Sequence, residues 1–108
     1  MANNTIQVNI IDTKWGPYVD RDPVYVGPNE EIEWKYDIQK AKEMNKDKSK
    51  EPFFSVDFYP PKPFKGGPFH EGHASSGRPD VPANEHHTYK YSVTTGAGKI
   101  DPGVIVHG

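Results

Sequence analysis

Histidine is the residue type in this chain whose spacing most directly suggests site chemistry. His70 and His73 have the His-x-x-His spacing, and His86 and His87 are adjacent. Imidazole nitrogens bind Cu(II), Ni(II) or Zn(II), so one hypothesis is a small metal-binding protein that uses His70, His73 and one residue of the adjacent pair. Neighbouring strand residues point to opposite faces, so only one of His86 and His87 could take part. We favour the simpler interpretation, in which these are solvated loop histidines and no cofactor is bound.

Nothing in the sequence predicts catalysis. Ser75 and Ser76 lie in a glycine-rich stretch, but the chain has no Gly-x-Ser-x-Gly, Walker, Rossmann or His-Glu-x-x-His motif. Asp20 and Asp22, with Asp12 nearby, do not have the spacing of a calcium-binding loop, and we expect these carboxylates at the surface. The protein is therefore predicted not to be an enzyme.

Composition excludes several other classes of function. The 108 residues carry a net charge of −2, so no basic field attracts nucleic acid. The absence of cysteine excludes disulfides, zinc fingers and thiolate-ligated metals. No apolar run approaches the ~18 residues that a membrane span needs. The first residues lack the basic-then-apolar order of a signal peptide, so the chain as written is expected in the cytoplasm, or in the periplasm or outside the cell if a leader has been removed.

The elements that position these residues are mostly strands. Short runs with a period of two alternate with glycine- and proline-rich turns, and the clearest run places Ile32, Trp34, Tyr36 and Ile38 on one face. Residues 39–44 are expected to form a helical turn or two, and residues 45–50 a solvated loop. Strands are predicted at residues 5–11, 23–27, 31–38, 53–58, 88–93 and 103–107. We predict one all-β domain over residues 1–108, an antiparallel sandwich of about seven strands.

One long segment, residues 60–84, is the predicted binding region. It holds six of the eleven prolines and four of the ten glycines, so we expect it to run over the surface rather than join a sheet. Tyr59, Phe64, Phe69 and His70 are the predicted binding residues, because aromatic rings on a stiff loop give contact area at little entropic cost. The alternative is that Phe64 and Phe69 fold back to close the core.

The order of the elements resembles that of cupredoxins, the plastocyanin and azurin type. Residues 23–34 resemble the family's second and third strands, with Ile32 two places before Trp34. Residues 89–93, a glycine-rich loop and residues 103–106 resemble the two strands that flank the copper loop. The resemblance implies a Greek-key β-sandwich.

The same resemblance shows that the blue-copper ligands are missing. A type 1 site needs a cysteine thiolate, two histidines and usually an axial methionine. Val93 or a close neighbour stands where the cysteine is expected, and residues 94–99 contain neither histidine nor methionine. We therefore expect a cupredoxin-like binding module without blue copper, whose loops engage a protein or glycan partner. The alternative function is histidine-based binding of copper, nickel or zinc.

Overall fold

The computed structural model describes residues 4–44, 49 and 51–108. This part of the chain contains nine strands and one short helix. The helix is α1 (Ile38–Met44), and the strands are β1 (Asn4–Thr13), β2 (Gly16–Val19), β3 (Val24–Val26), β4 (Glu30–Tyr36), β5 (Phe54–Phe58), β6 (Phe69–His70), β7 (His86–Thr95), β8 (Gly98–Ile100) and β9 (Gly103–His107). Within these residues, no helix is long and apolar enough to cross a membrane.

The first sheet has the order β2-β1-β4. β1 and β2 form an antiparallel hairpin, whereas β1 and β4 are parallel, with Ile10 opposite Tyr36. A stretch of segment 60–84 covers the free edge of β4: the Trp34 amide donates to the Ala74 carbonyl (2.9 Å), and the Ser76 amide donates to the Ile32 carbonyl (2.8 Å). The proline-rich segment therefore satisfies backbone groups that a bare edge strand would leave open.

The second sheet has the order β3-β9-β7-β5-β6, with β8 paired to β7. Strand β7 is the central strand of this sheet. It pairs with β5 along one edge and with β9 and β8 along the other. Strand β3 pairs with β9 in parallel.

One hydrophobic cluster fills the space between the sheets. Alternation along each strand supplies it, as in β4, where Ile32, Trp34 and Tyr36 are buried. The ring of Trp34 lies at its centre, 5.8 Å from that of Tyr91 and 6.1 Å from that of Phe58, measured between ring centroids. The all-β, two-sheet architecture predicted from the sequence is confirmed.

Two features of the predicted fold need correction. The sandwich is not purely antiparallel, because β1 with β4 and β3 with β9 are parallel pairs. The segment 60–84 is not confined to the surface, because β6 pairs with β5 and residues 74–76 pair with β4. The proline content of the segment did not prevent this pairing, because residues 69–78 contain no proline and keep their amide donors.

The boundary between β4 and α1 is set by one residue. The Asp37 carboxylate accepts a hydrogen bond from the Lys40 amide (2.9 Å), which is the geometry of a helix N-cap. The strand therefore ends at Tyr36, earlier than predicted, and the expected helical turns are present with Ala41 buried against the core. The loop predicted for residues 45–50 lies, Ser49 apart, outside the described residues.

Candidate functional site

The structure divides the four predicted binding residues between the core and the surface. Phe64 and Phe69 are only 2% and 1% exposed. The ring of Phe64 packs edge-on against Phe58, with centroids 5.4 Å apart, and Phe69 stacks on Trp34. These two phenylalanines cannot present their rings to a partner, so the prediction is corrected: they close the core. Tyr59 and His70 remain at the surface.

Tyr59 is held firmly although 43% of it is exposed. Its amide donates to the Lys90 carbonyl of β7 (3.2 Å), and its hydroxyl donates to the Asp101 carboxylate beyond β8 (2.8 Å). The ring therefore spans the outer face of β7, with the Lys99 ammonium 5.7 Å from its centre. The Tyr59 hydroxyl, followed by the Asp101 and Asp57 carboxylates, raises the pKa of Lys99 above its usual value.

His70 and His73 flank a tight two-residue turn. Their backbones exchange two hydrogen bonds, of 3.0 and 2.9 Å, and Gly72 between them has a positive φ of 88°. The two rings lie 5.9 Å apart, and the His73 ring also stacks against Phe69 at 5.5 Å. The Nδ1 atom of His70 lies 2.7 Å from the Glu71 carbonyl oxygen. The His-x-x-His motif is thus a hairpin pair.

The other histidines lie far from this hairpin. Across the sheet, His70 is level with Ser55 and Thr94, whereas His86 lies eight residues further along β7. Eight strand residues span about 27 Å, so neither His86 nor His87 can join the hairpin pair in one metal site. His87 lies 3.1 Å from the Glu85 carboxylate instead. Within the described residues, no three or more histidine, aspartate or glutamate side chains form a group that could hold a metal ion.

Ser76 and Asp12, both noted in the sequence, have structural roles. The Ser76 hydroxyl accepts from the Ile32 amide (2.8 Å) and donates to the Gly77 carbonyl (2.8 Å). Asp12 was expected at the surface, but it is buried: it is 4% exposed and accepts a hydrogen bond from the Tyr36 hydroxyl at 2.6 Å. Burial, and then this bond to Asp12, raises the pKa of Tyr36 far above its usual value. A hydroxyl held in this way is a poor proton donor in catalysis.

Sequence reasoning missed the β1–β2 hairpin as a surface feature. Lys14 and Trp15 form its two-residue turn, and Trp15 is 85% exposed. The Thr13 hydroxyl fixes the turn, since it donates to the Gly16 carbonyl (2.7 Å) and accepts from the Trp15 amide (3.1 Å). The Lys14 ammonium lies 4.5 Å from the centre of the indole ring. The available signal was a tryptophan in a turn between two short β-type runs, where no core lies within reach.

An open depression of about 310 Å³ lies beside this hairpin, on the outer face of β1 and β4. Its walls include Asn9, Ile11, Asp20, Lys35, Tyr36 and Asp37. The Asp20 carboxylate accepts from the Asn9 amide (2.8 Å) and from its side-chain Nδ2 (2.7 Å). Tyr18 is opposite Ile11 in the β1–β2 register and more than half exposed, so its side chain lies on the same face of the sheet as that of Ile11. We call Trp15, Tyr18 and this depression the hairpin face.

Comparison of the chain with known protein families, with curated proteins and with solved structures gives no match. The function is therefore inferred from the geometry of the chain itself.

Proposed function

We propose that this protein is a non-catalytic binding module, a cupredoxin-like β-sandwich without blue copper, and that it binds a glycan through the hairpin face. The observation that carries the proposal is the exposure of Trp15 on a turn that hydrogen bonds hold in place. A large apolar side chain that stays exposed to water forgoes about 1.5–3 kcal/mol of burial energy, which a partner can recover. Tryptophan is also among the residues that dominate binding surfaces.

The chemistry of the depression favours a glycan. Sugar rings stack on exposed aromatic faces and present hydroxyls that both donate and accept. The depression supplies the matching groups: the Lys35 ammonium donates, and the Asp20 and Asp37 carboxylates accept. Asn9 and Asp20 are already ordered by their mutual hydrogen bonds, which reduces the entropy lost on binding.

The cupredoxin-like part of the proposal has support from the strand order. The segment that resembles the family's second and third strands forms β3 and β4, and the two strands expected around the copper loop are β7 and β9. A short hairpin, β7–β8, occupies the place of that loop. Because the chain has no cysteine, the fold is proposed without its copper chemistry.

A glycan microarray probed with the full chain tests the proposal. We expect binding to at least one class of glycan, at least a tenfold loss in Trp15→Ala, and a smaller loss in Tyr18→Ala. Tyr25→Ala is the matched control, because Tyr25 is similarly exposed but lies on β3 of the other sheet. An array without any bound glycan would overturn the glycan assignment and leave a protein partner as the alternative. Glycan binding that survives Trp15→Ala would overturn the placement of the site on the hairpin face.

A further inference from the structure

Strands β7 and β9 place two histidines directly opposite each other. His86 is the first residue of β7 and His107 the last of β9, and the register pairs them. Sequence reasoning did not connect these residues, because the register of the two strands cannot be derived from the sequence. Both side chains are exposed.

The hydrogen bonds around the pair determine how close the side chains come. The Gly108 amide donates to the Glu85 carbonyl at 2.7 Å, and the Tyr91 amide donates to the Pro102 carbonyl at 3.1 Å. Bonded and non-bonded pairs alternate along an antiparallel ladder, so His86 and His107 form a non-hydrogen-bonded pair. In such pairs the side chains approach most closely, with Cβ atoms about 4.5–5.5 Å apart.

The rings already have nearly the spacing of a chelate. The centroids of His86 and His107 are 5.4 Å apart, with planes inclined by 36°. With metal–nitrogen distances of about 2.0–2.1 Å, two imidazoles on one metal in adjacent positions have centroids about 4.5–5.5 Å apart. The observed separation of 5.4 Å lies within this range.

The surroundings leave these nitrogens available. Neither ring hydrogen-bonds to another side chain within the part of the chain that the structure describes. Glu85 lies against His87, which pairs with buried Val106. His86 and His107 therefore each keep a ring-nitrogen lone pair for a ligand. His87, the next residue along β7, also carries an imidazole but lies opposite Val106.

We propose that His86 and His107 form a two-histidine site for a divalent transition metal of the Cu(II), Ni(II) or Zn(II) type. Imidazole suits these ions, whereas Ca²⁺ and Mg²⁺ require sets of oxygen ligands. The remaining coordination positions face solvent, so water fills them. Because the metal joins the ends of two strands in the folded chain only, it also stabilises the β7–β9 pairing.

The test is a titration of the full chain, prepared without a histidine tag, with Zn(II) and with Cu(II), followed by calorimetry and by the NMR shifts of the histidine ring protons. We expect the rings of His86 and His107 to shift together. His86→Ala and His107→Ala should each lower the affinity at least tenfold, and both should abolish the rise in melting temperature that the metal causes.

Two control variants locate the site. His87→Ala removes the adjacent histidine and His70→Ala breaks the hairpin pair, and each should leave the affinity within about twofold. Far-UV circular dichroism checks that all four variants fold. Unchanged affinity in His86→Ala and His107→Ala, or a loss that follows His70→Ala or His87→Ala instead, would overturn the proposal, as would the absence of binding to the unmodified chain.

Discussion

The ring of Phe69 stacks on the indole of Trp34, with centroids 5.0 Å apart and planes inclined by 29°. Phe69 belongs to the segment 60–84 and Trp34 to the middle of β4, so the contact ties this segment to the centre of the core. Backbone hydrogen bonds from β4 to residues 74–76 reinforce it. This segment is therefore part of what makes the sandwich stable.

The first prediction concerns Phe69. Phe69→Ala should lower the free energy of unfolding by about 3–5 kcal/mol, the usual range for removal of a buried aromatic side chain. Phe53→Ala, at an exposed phenylalanine, should change it by no more than about 0.5 kcal/mol. Urea denaturation followed by circular dichroism measures both. Equal effects would show that the segment does not reach the core.

A second variant tests the same contact. Replacement of residues 66–77 by a short Gly-Ser linker would leave the fold intact only if the segment lay on the surface. Because it would remove Phe69 and the Ser76 bonds to Ile32, we expect the linker variant to be largely unfolded at room temperature. Its circular dichroism spectrum checks this directly.

The second prediction tests the two faces of β4. Trp34→Ala should lower the free energy of unfolding by about 3–5 kcal/mol, since Trp34 is buried among aromatic rings. Lys35 points outward, so Lys35→Ala should change it by no more than about 0.5 kcal/mol. Denaturant titrations should therefore show a loss of unfolding free energy that is several-fold larger for Trp34→Ala than for Lys35→Ala. Similar losses at both positions would contradict the assignment of this strand.

The sequence predicted best where one physical rule decides. Alternation along residues 31–36 identified both the strand and its buried face, because side chains in a strand point to opposite faces in turn. It could not show that β1 and β4 are parallel partners, since β3, between them in the chain, crosses to the other sheet. The position of Phe69 was hidden for a similar reason: proline and glycine content says nothing about where neighbouring aromatic rings pack. The histidine pair at the ends of β7 and β9 depends on register, which arises only when the whole sheet forms.

The third prediction concerns Tyr59 and Lys99. The Tyr59 hydroxyl is the largest cause of the raised pKa of Lys99, so Tyr59→Phe should lower that pKa toward its ordinary value. NMR titration of the Lys99 side chain between about pH 9 and pH 12 measures the change. Tyr25→Phe, on β3, is the control and should leave the Lys99 titration as it is in the unmodified protein.

The fourth prediction is optical. Cu(II) added to the protein should produce only weak absorption. The intense charge-transfer band of a copper–thiolate bond, at about 600 nm, should be absent. The chain has no cysteine to donate that charge, and the proposed site at His86 and His107 has imidazole ligands only. An intense blue colour would contradict both the excluded copper chemistry and the proposed ligand set.

The last prediction concerns Tyr91 and alkaline pH. Burial raises the pKa of Tyr91 to about 12, from 10.0, so the folded protein holds this proton more tightly than the unfolded chain does. The resulting stability is complete below about pH 10 and falls by about 1.4 kcal/mol per pH unit as the pH rises toward 12. Tyr91→Phe removes this loss, so its free energy of unfolding should fall less steeply over the same range. At neutral pH the substitution should change stability by no more than about 1 kcal/mol, because the buried hydroxyl makes no hydrogen bond of normal geometry with the described residues.

Thr88→Val is the control, because it removes an exposed hydroxyl from the same strand and should keep the full alkaline slope. Guanidinium titrations from about pH 8 to pH 12 compare the three proteins. A slope as steep in Tyr91→Phe as in the unmodified protein would show that another group controls the alkaline transition.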